Sequence, residues 1–344
     1  MKTIRIAVVG CGGMARFYCR RYTQVENAQL ALLVDTNEAL AKQMAEDLGG
    51  VRWSTNFEDC LADDIDMVDI STPNFLHEAQ AIAAIEAGKH VIIQKPLAPT
   101  VEAAERICEA ARRSNKNIGM YMNTFNDPIV RDMKELVEDG HLGKVEGIHC
   151  RNAHRGGLTV PAGTWRGDLE KCGGGSFIQL AIHNIDAVQY LVGSKIESVM
   201  AYSHNTMCPN IGGDDATVAS CMFESGILGT LESSYAADRN VLCVYGTKGH
   251  FVFGGQNCLE LQLDEPFEGR VIKYSQPGQM ARFPLEDTLD VYSKENPFDQ
   301  SIAFVKAIQE GKPAPVSLET GLHDLKVVHA VYRSSKNGMR ELVK

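Results

Sequence analysis

The chain has 344 residues, 44% hydrophobic and 23% charged, which is the composition of a globular protein long enough for two domains. Its formal net charge of −10, without a basic stripe, argues against nucleic acid or an anionic membrane surface as a partner. The dispersed histidines and ten cysteines show no metal-ligand spacing, so we expect no metal site and reduced thiols in a cytoplasmic protein. No run reaches about 18 apolar residues, so we expect no membrane span.

The first predicted element is a buried parallel strand from Ile4 to Val9, a β-branched run too short for a signal sequence. It leads into the GxGxxA loop of residues 10–15, GCGGMA, which opens a helix through about Thr23. In this motif Gly10 permits the tight turn, Gly12 lets the backbone approach a pyrophosphate, and Ala15 allows close packing of helix on strand. Strand, loop and helix together predict a dinucleotide-binding domain.

The second predicted strand, Gln29 to Val34, ends in Asp35. At that position a carboxylate accepts hydrogen bonds from the adenosine ribose hydroxyls and repels a 2′-phosphate, which favours NAD over NADP. The alternative is a structural role, in which Asp35 caps the helix that starts near Glu38.

The α/β alternation continues to about residue 122. The further predicted elements are a helix over 39–48, a strand over 66–70, a helix over 76–87, a strand over 90–93, a helix over 101–114 and a strand over 117–122. In a doubly wound sheet, ligands bind outside the carboxyl ends of the strands. We therefore place Thr72, Pro73, Asn74 and His77, which follow the strand over 66–70, on the same rim as Gly10.

The segment Gln94-Lys95-Pro96 follows the strand over 90–93. Proline cannot continue a central strand, so the strand ends there and leaves Lys95 on the rim. A cis Lys95–Pro96 bond, which would re-aim the lysine, is held as a hypothesis, because only about 5–6% of X–Pro bonds are cis. The alternative is a solvated surface lysine.

Beyond Asn123 the pattern changes. One helix is predicted over 128–139, and strand-like segments follow over 144–151, 196–205, 216–222, 226–235, 241–246 and 250–253. Strands without alternating helices indicate an antiparallel sheet, and two helices, over 299–310 and 318–337, close the chain. We predict an α/β Rossmann domain over 1–122 with a doubly wound parallel sheet. An α+β domain with a large, mostly antiparallel open sheet follows over 123–344 and includes closing helices over 299–344.

One helix interrupts these strands, in the stretch Gly173 to Asp186, GGGSFIQLAIHNID. Positions i and i+4 of an α-helix share a face, so Gln179 and His183 are expected to point the same way. The glycines before them let the backbone come close to another group. The alternative is a buried amphipathic helix with an ordinary core histidine.

These motifs together resemble the Gfo/Idh/MocA oxidoreductases, a family that includes glucose–fructose oxidoreductase and inositol dehydrogenases. The resemblance rests on GCGGMA, STPNFLH, IIQKPL, WRGDLEKCGGGSF and GLHDLKVVHAVYRSSKNG, in the family's order over the whole chain. It implies a cofactor lying across the Rossmann domain, with its nicotinamide facing the second domain. It also implies a homo-oligomer, a dimer or tetramer.

The resemblance assigns residues to roles. Lys95 matches the family's catalytic lysine and His183 its catalytic histidine. The expected substrate-binding residues are Asn123, Trp165, Arg166, Gln179, Lys95 and His183. The expected cofactor-binding residues are Gly10, Gly12, Gly13, Met14, Asp35, Thr36, Thr72, Pro73, Asn74, His77, Gln94 and Lys95. Asn152 and His154 are further candidates for the polar pocket, and Arg166 has the alternatives of pairing with a substrate carboxylate or bracing Asp168.

Two positions depart from the family pattern. Its EKP motif is Gln94-Lys95-Pro96 here, and its DxxxH motif begins with Gln179. A glutamine amide cannot take a proton, and a missing carboxylate leaves nearby basic groups more easily neutral. An aspartate base is therefore ruled out at position 179.

The expected activity is NAD-dependent hydride transfer from a secondary alcohol of a sugar, glycoside or cyclitol. His183 would be the general base, Lys95 would stabilise the alkoxide or relay the proton, and Gln179 would hold a neighbouring hydroxyl. One alternative is a glycoside-cleaving enzyme that retains NAD and acts by oxidation and elimination. Another is a non-catalytic NAD(H)-sensing protein.

Overall fold

The computed structural model describes residues 2–122, 128–254, 258–284 and 299–344. The chain separates into two compact units. One comprises Met1–Met122 and Pro297–Leu322, and the other comprises Asn123–Asn296 and His323–Lys344. The sequence prediction assigned all of 299–344 to the second domain, whereas the structure packs the part up to Leu322 with the first unit.

The described helices are α1 (Gly13–Tyr22), α2 (Glu38–Asp47), α3 (His77–Glu86), α4 (Val101–Arg112), α5 (Pro128–Glu138), α6 (Leu169–Cys172), α7 (Ile182–Val192), α8 (Gln300–Glu310) and α9 (Leu318–Asn337). Several begin with a side-chain cap, such as Thr100 before α4 and Asp299 before α8, which satisfies backbone N–H groups that have no partner within the helix.

The first unit contains a parallel sheet of β1 (Ile4–Val9), β2 (Ala28–Val34), β3 (Trp53–Ser54), β4 (Met67–Ile70), β5 (His90–Ile93) and β6 (Ile118–Met120). Its spatial order, β3-β2-β1-β4-β5-β6, is that of a doubly wound dinucleotide-binding fold. The strands lie between helices on both faces, which explains their nearly continuous apolar sequences. This confirms the predicted Rossmann fold.

The returning segment of residues 299–322 covers the β6 edge of this sheet. Gln300 accepts a hydrogen bond from the Met122 amide at 2.7 Å and donates one to the Met120 carbonyl at 2.5 Å. Gly119 lies so close to Phe304 and Ala314 that a Cβ on it would overlap them. The C-terminal segment is therefore an integral part of the first unit.

The second unit contains a nine-stranded sheet. Its strands are β7 (Val145–Ala153), β8 (Ile196–His204), β9 (Ala216–Phe223), β10 (Leu228–Ser234), β11 (Val241–Gly246), β12 (Gly249–Phe253), β13 (Cys258–Leu263), β16 (Ala281–Pro284) and β17 (Glu341–Leu342), and a separate hairpin joins β14 (Phe267–Glu268) to β15 (Lys273–Tyr274). Its order is β16-β13-β12-β11-β7-β10-β9-β8-β17, and among the strand pairs that the structure describes only β7–β10 is parallel. The predicted mostly antiparallel sheet is confirmed, although strands after residue 253 and β17 were not predicted.

Over the described part of the chain, no helix combines the length and apolar character needed to cross a bilayer. The nine cysteines from Cys11 to Cys243 are free thiols, and all nine are buried.

Candidate active site

The loop after β1 contains three glycines, of which Gly10 sets its tight turn and Gly12 and Gly13 leave its backbone accessible. Gly10 has φ +92°, and a Cβ on it would lie 2.6 Å from the Ser71 carbonyl oxygen. Gly12 and Gly13 are exposed, with no described atom within 4 Å of the place a Cβ would occupy. Gly12 precedes the first turn of α1 and supplies no side-chain cap. The loop thus exposes backbone N–H groups at a helix N-terminus, as pyrophosphate binding requires.

Asp35 lies at the carboxyl end of β2, beside this loop. Its Oδ2 accepts the Cys11 amide at 2.8 Å and its Oδ1 accepts the Asn37 amide at 2.8 Å. The side chain that caps α2 is Asn37, which accepts from the Ala39 and Leu40 amides. A purely capping role for Asp35 is therefore wrong. Its carboxylate has acceptor sites for about two more donors, such as a pair of ribose hydroxyls.

The segment after β4 is held in place by a buried histidine. His77 is fully buried, with Nε2 2.9 Å from the Thr72 carbonyl oxygen and Nδ1 3.0 Å from the Pro96 carbonyl oxygen. Burial lowers the pKa of His77. His77 was predicted to contact the cofactor, but its side chain has no exposed surface. It instead links the backbone at Thr72 to the backbone that follows Lys95.

Other predicted cofactor residues differ in accessibility. Met14 and Thr36 are exposed, Thr72 and Pro73 are half-buried, and Asn74 is buried. The Thr72 hydroxyl donates to Gln80 Oε1 at 2.6 Å.

The Lys95–Pro96 peptide bond is cis, which confirms the hypothesis drawn from the sequence. Lys95 is half-buried, so it is not a fully solvated surface lysine. The neighbouring Gln94 is 5% exposed, and its Nε2 has no hydrogen-bond partner among the residues that the structure describes. A buried amide donor without a partner beside Lys95 fits a rim that is completed by a bound molecule.

In the second unit, Trp165 and Arg166 form a cation–π pair. The Arg166 guanidinium lies 4.3 Å from the centre of the Trp165 ring and is exposed. Arg166 does not brace Asp168, which instead caps α6 and pairs with Lys171 at 3.2 Å. This arrangement exposes a flat, positively charged surface.

The stretch that carries Gln179 and His183 is not a uniform α-helix. Residues Phe177–Ala181 form a π-helical turn and α7 continues from Ile182, so a π-helical turn interrupts the regular helix expected here. π-helical turns concentrate at functional sites. Gln179 is buried and its Nε2 donates to Cys172 Sγ at 3.3 Å, while His183 is half-buried. Asn152, a pocket candidate, donates to the Leu180 carbonyl at 3.1 Å and so supports this turn.

Sequence reasoning missed two residues at the start of this helix. The backbone N–H groups of the N-terminal turn donate hydrogen bonds to Asp214 and Tyr332, which are distant in sequence. The only sequence signal was the Gly212-Gly213-Asp214 run before a predicted strand, which is compatible with close backbone packing.

Some predicted residues add little to this site. The His154 side chain accepts its own loop's Gly156 amide at 2.8 Å, so it has a local capping role. Asn123 lies outside the described residues. In the described part of the chain, no group of three or more His, Cys, Asp or Glu residues could hold a metal ion.

Comparison with known proteins identifies both parts of the chain. Residues 4–122 match the model of an oxidoreductase family described by its NAD-binding Rossmann fold. Residues 134–343 match the C-terminal alpha/beta domain of the same oxidoreductase family.

Individual relatives cover almost the whole chain or most of it. The chain is 30% identical to scyllo-inositol 2-dehydrogenase (NAD(+)) of Bacillus subtilis over 73% of this chain and 74% of that protein. It is 26% identical to D-glucoside 3-dehydrogenase of Escherichia coli over 98% and 97%. Among solved structures, aldose-aldose oxidoreductase from Caulobacter crescentus, complexed with glycerol, aligns with a TM-score of 0.84 at 26% identity over 99% and 100%.

Proposed function

Because the chain belongs to the Gfo/Idh/MocA oxidoreductase family, we propose that it is an NAD-dependent dehydrogenase that oxidises a secondary alcohol of a sugar, glycoside or cyclitol. The relatives named for inositol, glucoside and aldose substrates support this class. The observation that carries the proposal is the arrangement of the first unit. Its glycine loop is open, Asp35 has acceptor sites left for further donors, and a half-buried Lys95 follows β5 of the same sheet.

The first unit fits NAD. The exposed N–H groups at Gly12 and Gly13 would bind the pyrophosphate, and Asp35 would accept the adenosine ribose hydroxyls. Thr72, Pro73 and Asn74 would line the nicotinamide ribose, with Gln94 and Lys95 beside them. When bound, NAD supplies the hydride acceptor, and the chain supplies orientation and proton transfer.

His183 is the proposed general base. An imidazole has an ordinary pKa of about 6.5, so near neutral pH it can take the proton that leaves a hydroxyl as that carbon loses its hydride. Lys95 would donate a hydrogen bond to the same oxygen and stabilise the alkoxide charge that develops there.

The remaining polar groups are proposed to hold the substrate. Gln179 would bind a neighbouring hydroxyl, and the stacked Trp165–Arg166 pair would contact the sugar ring or a charged substituent. Asn123 is also proposed to bind the substrate, on the strength of the sequence resemblance alone. An amide at position 179 binds hydroxyls without itself accepting their protons.

The decisive experiment measures NADH formation at 340 nm with a panel of sugars, glycosides and cyclitols, together with product analysis. NADH that accumulates with one class of substrate supports the dehydrogenase. Aglycone release without net NADH would instead establish oxidation and elimination with retained NAD. Tight NAD binding with no turnover on any compound would favour a sensing protein.

We also propose that the chain forms a homo-oligomer through the face of the nine-stranded sheet that its helices leave open. Tyr202 is 77% exposed there and pairs across strands with Val218, which is 50% exposed. Neighbouring Met200 is also exposed. Contiguous exposed apolar side chains on a sheet are typical of an interface.

A further inference from the structure

The helix that carries His183 has no cap from its own sequence. Its N-cap residue, Ser176, makes no capping side-chain hydrogen bond within the helix. The first N–H groups of any helix lack partners inside it, and leaving them buried and unpaired is costly. Something outside the segment must therefore bind them.

Asp214 supplies most of these partners. Its Oδ1 accepts the Gly175 amide at 3.0 Å, its Oδ2 accepts the Phe177 amide at 2.9 Å, and its backbone carbonyl accepts the Ser176 amide at 2.7 Å. The Tyr332 hydroxyl accepts the next amide, that of Ile178, at 3.1 Å. Four successive N–H groups are thus bound by two residues.

The cap is itself rigid. Oδ1 of Asp214 also accepts the Tyr332 hydroxyl at 2.8 Å, and Oδ2 accepts the Ser176 hydroxyl at 2.7 Å and the Thr217 hydroxyl at 2.8 Å. The carboxylate is 7% exposed and has five donors. A buried carboxylate with every acceptor site used holds its partners in one arrangement.

The glycines before the helix are explained by this cap. A Cβ on Gly174 would overlap the Tyr332 hydroxyl, and one on Gly175 would overlap the Asp214 carbonyl oxygen. On another side the cap faces a cavity of about 430 Å³ lined by Gly173, Gly174, Asp214, Tyr332 and others. Side chains do not fill that space, so on this side the hydrogen bonds of the cap hold the helix start.

We propose that Asp214, with Tyr332 as its partner, is a positioning residue for His183. This inference rests on the proposed function, in which His183 is the base. His183 follows the π-helical turn directly, as the second residue of α7, so a shift of the capped turn moves its imidazole. A displacement of about 1 Å can cost a reaction about 10²-fold in rate.

Asp215 provides a matched control. It is fully buried, and its Oδ2 accepts the amides of Thr206 at 2.9 Å, Met207 at 2.5 Å and Cys208 at 2.9 Å. It therefore caps a loop as strongly as Asp214 caps the helix, on the next residue of the chain.

The experiment compares Asp214→Asn with Asp215→Asn. Both lose a buried capping carboxylate, so both should lower Tm. Only Asp214→Asn should lower kcat, by about 10- to 100-fold, with KM changed less than about threefold and NADH affinity unchanged. Amide hydrogen exchange over residues 175–183 should accelerate only in Asp214→Asn. Tyr332→Phe, which keeps the ring but loses the hydroxyl, should show a smaller loss of kcat.

Retention of kcat within threefold in Asp214→Asn, or an equal loss in Asp215→Asn, would overturn the proposal. If Asp214→Asn does not fold, the proposal is tested with Tyr332→Phe instead, and an unchanged kcat in that variant overturns the proposal. If the wild-type protein turns over no compound, the proposed function fails. In that case amide hydrogen exchange over residues 175–183 tests the helix cap by itself. Faster exchange only in Asp214→Asn supports the cap, and equal exchange in both variants refutes it.

Discussion

The Asn117 amide donates a hydrogen bond to His90 Nδ1 at 2.9 Å, which requires that this ring nitrogen carry no proton. His90 begins β5, the strand that leads to Lys95. Burial, assisted by the charge of Lys116, lowers the pKa of His90 to about 4. Asp66 opposes this shift more weakly.

The first prediction concerns pH. Because the pKa of His90 is lower in the folded chain than its ordinary value of about 6.5, the unfolded chain binds more protons between these values. The contribution of His90 to stability is therefore complete above about pH 6.5 and is lost as the pH falls toward 4. His90→Gln should show a smaller decrease of the free energy of unfolding between pH 7 and pH 5, measured by urea unfolding. Identical pH slopes in the two proteins would contradict this.

The second prediction separates two glycines of one loop. Gly10→Ala places a Cβ against the Ser71 carbonyl at φ +92°, and should destabilise the first unit by at least about 2 kcal/mol. Gly12→Ala meets no described atom within 4 Å, so Tm should hardly change. Its methyl group would instead enter the space proposed for the pyrophosphate and raise the NADH Kd about tenfold or more. Thermal unfolding and NADH fluorescence titration measure these effects; unchanged NADH affinity in Gly12→Ala would place the cofactor elsewhere.

The third prediction concerns cofactor choice. Asp35→Ala removes the carboxylate proposed to accept the ribose hydroxyls, so the NADH Kd should rise about 10- to 100-fold and the preference over NADPH should shrink. Asn37→Ala is the control, because it removes the α2 cap at a cost of about 1 kcal/mol while leaving Asp35 in place. Titration with both cofactors checks this. Equal loss of NADH affinity in the two variants would show a structural role for Asp35.

The fourth prediction concerns catalysis. His183→Ala and Lys95→Met should each lower kcat by about 10²- to 10⁴-fold, the usual contribution of a positioned acid–base group. The glycine loop and Asp35 remain, so both variants should still bind NAD, with the smaller change of affinity in His183→Ala. Steady-state kinetics on the best compound of the panel, with NADH titration as the control, tests each role. Near-normal turnover in either variant would remove that residue from the mechanism.

The fifth prediction concerns assembly. Tyr202→Lys puts a charge at the centre of the exposed apolar patch on β8 and β9, and should shift the protein to smaller species in light scattering after size exclusion. Ser225→Lys makes the same charge change in the exposed turn between β9 and β10 and should leave the mass unchanged. A wild-type monomer, or identical masses for all three proteins, would contradict the proposed interface.

The parallel sheet of the first unit and its glycine loop could be predicted from sequence because their signals are local. Strand Ile4–Val9, the glycine loop and Asp35 lie within about 30 residues of one another, and each has a direct physical meaning. The cis Lys95–Pro96 bond was only a hypothesis drawn from one proline at a strand end, and the structure confirms it.

The helix cap could not be predicted because its parts come from distant segments. Nothing in GGGSF shows that Asp214 and Tyr332 will bind its amides, and residues three to four apart give no warning of a π-helical turn. His77 shows the same limit: its position on the rim was predicted, but its burial against two backbone carbonyls depends on tertiary packing. Local patterns thus supplied the candidate residues, and long-range contacts determine how the segments that carry them are held.

The return of residues 299–322 to the first unit has a consequence for synthesis. Residues 2–122 emerge from the ribosome with the β6 edge uncovered, and Gln300, Phe304 and Ala314 are translated about 180 residues or more later. During that interval a strand edge and its apolar neighbours stay exposed, as in any chain whose domain is discontinuous. The NAD-binding unit therefore reaches its final form only near the end of translation, and a fragment that stops at Met122 would lack part of its own core.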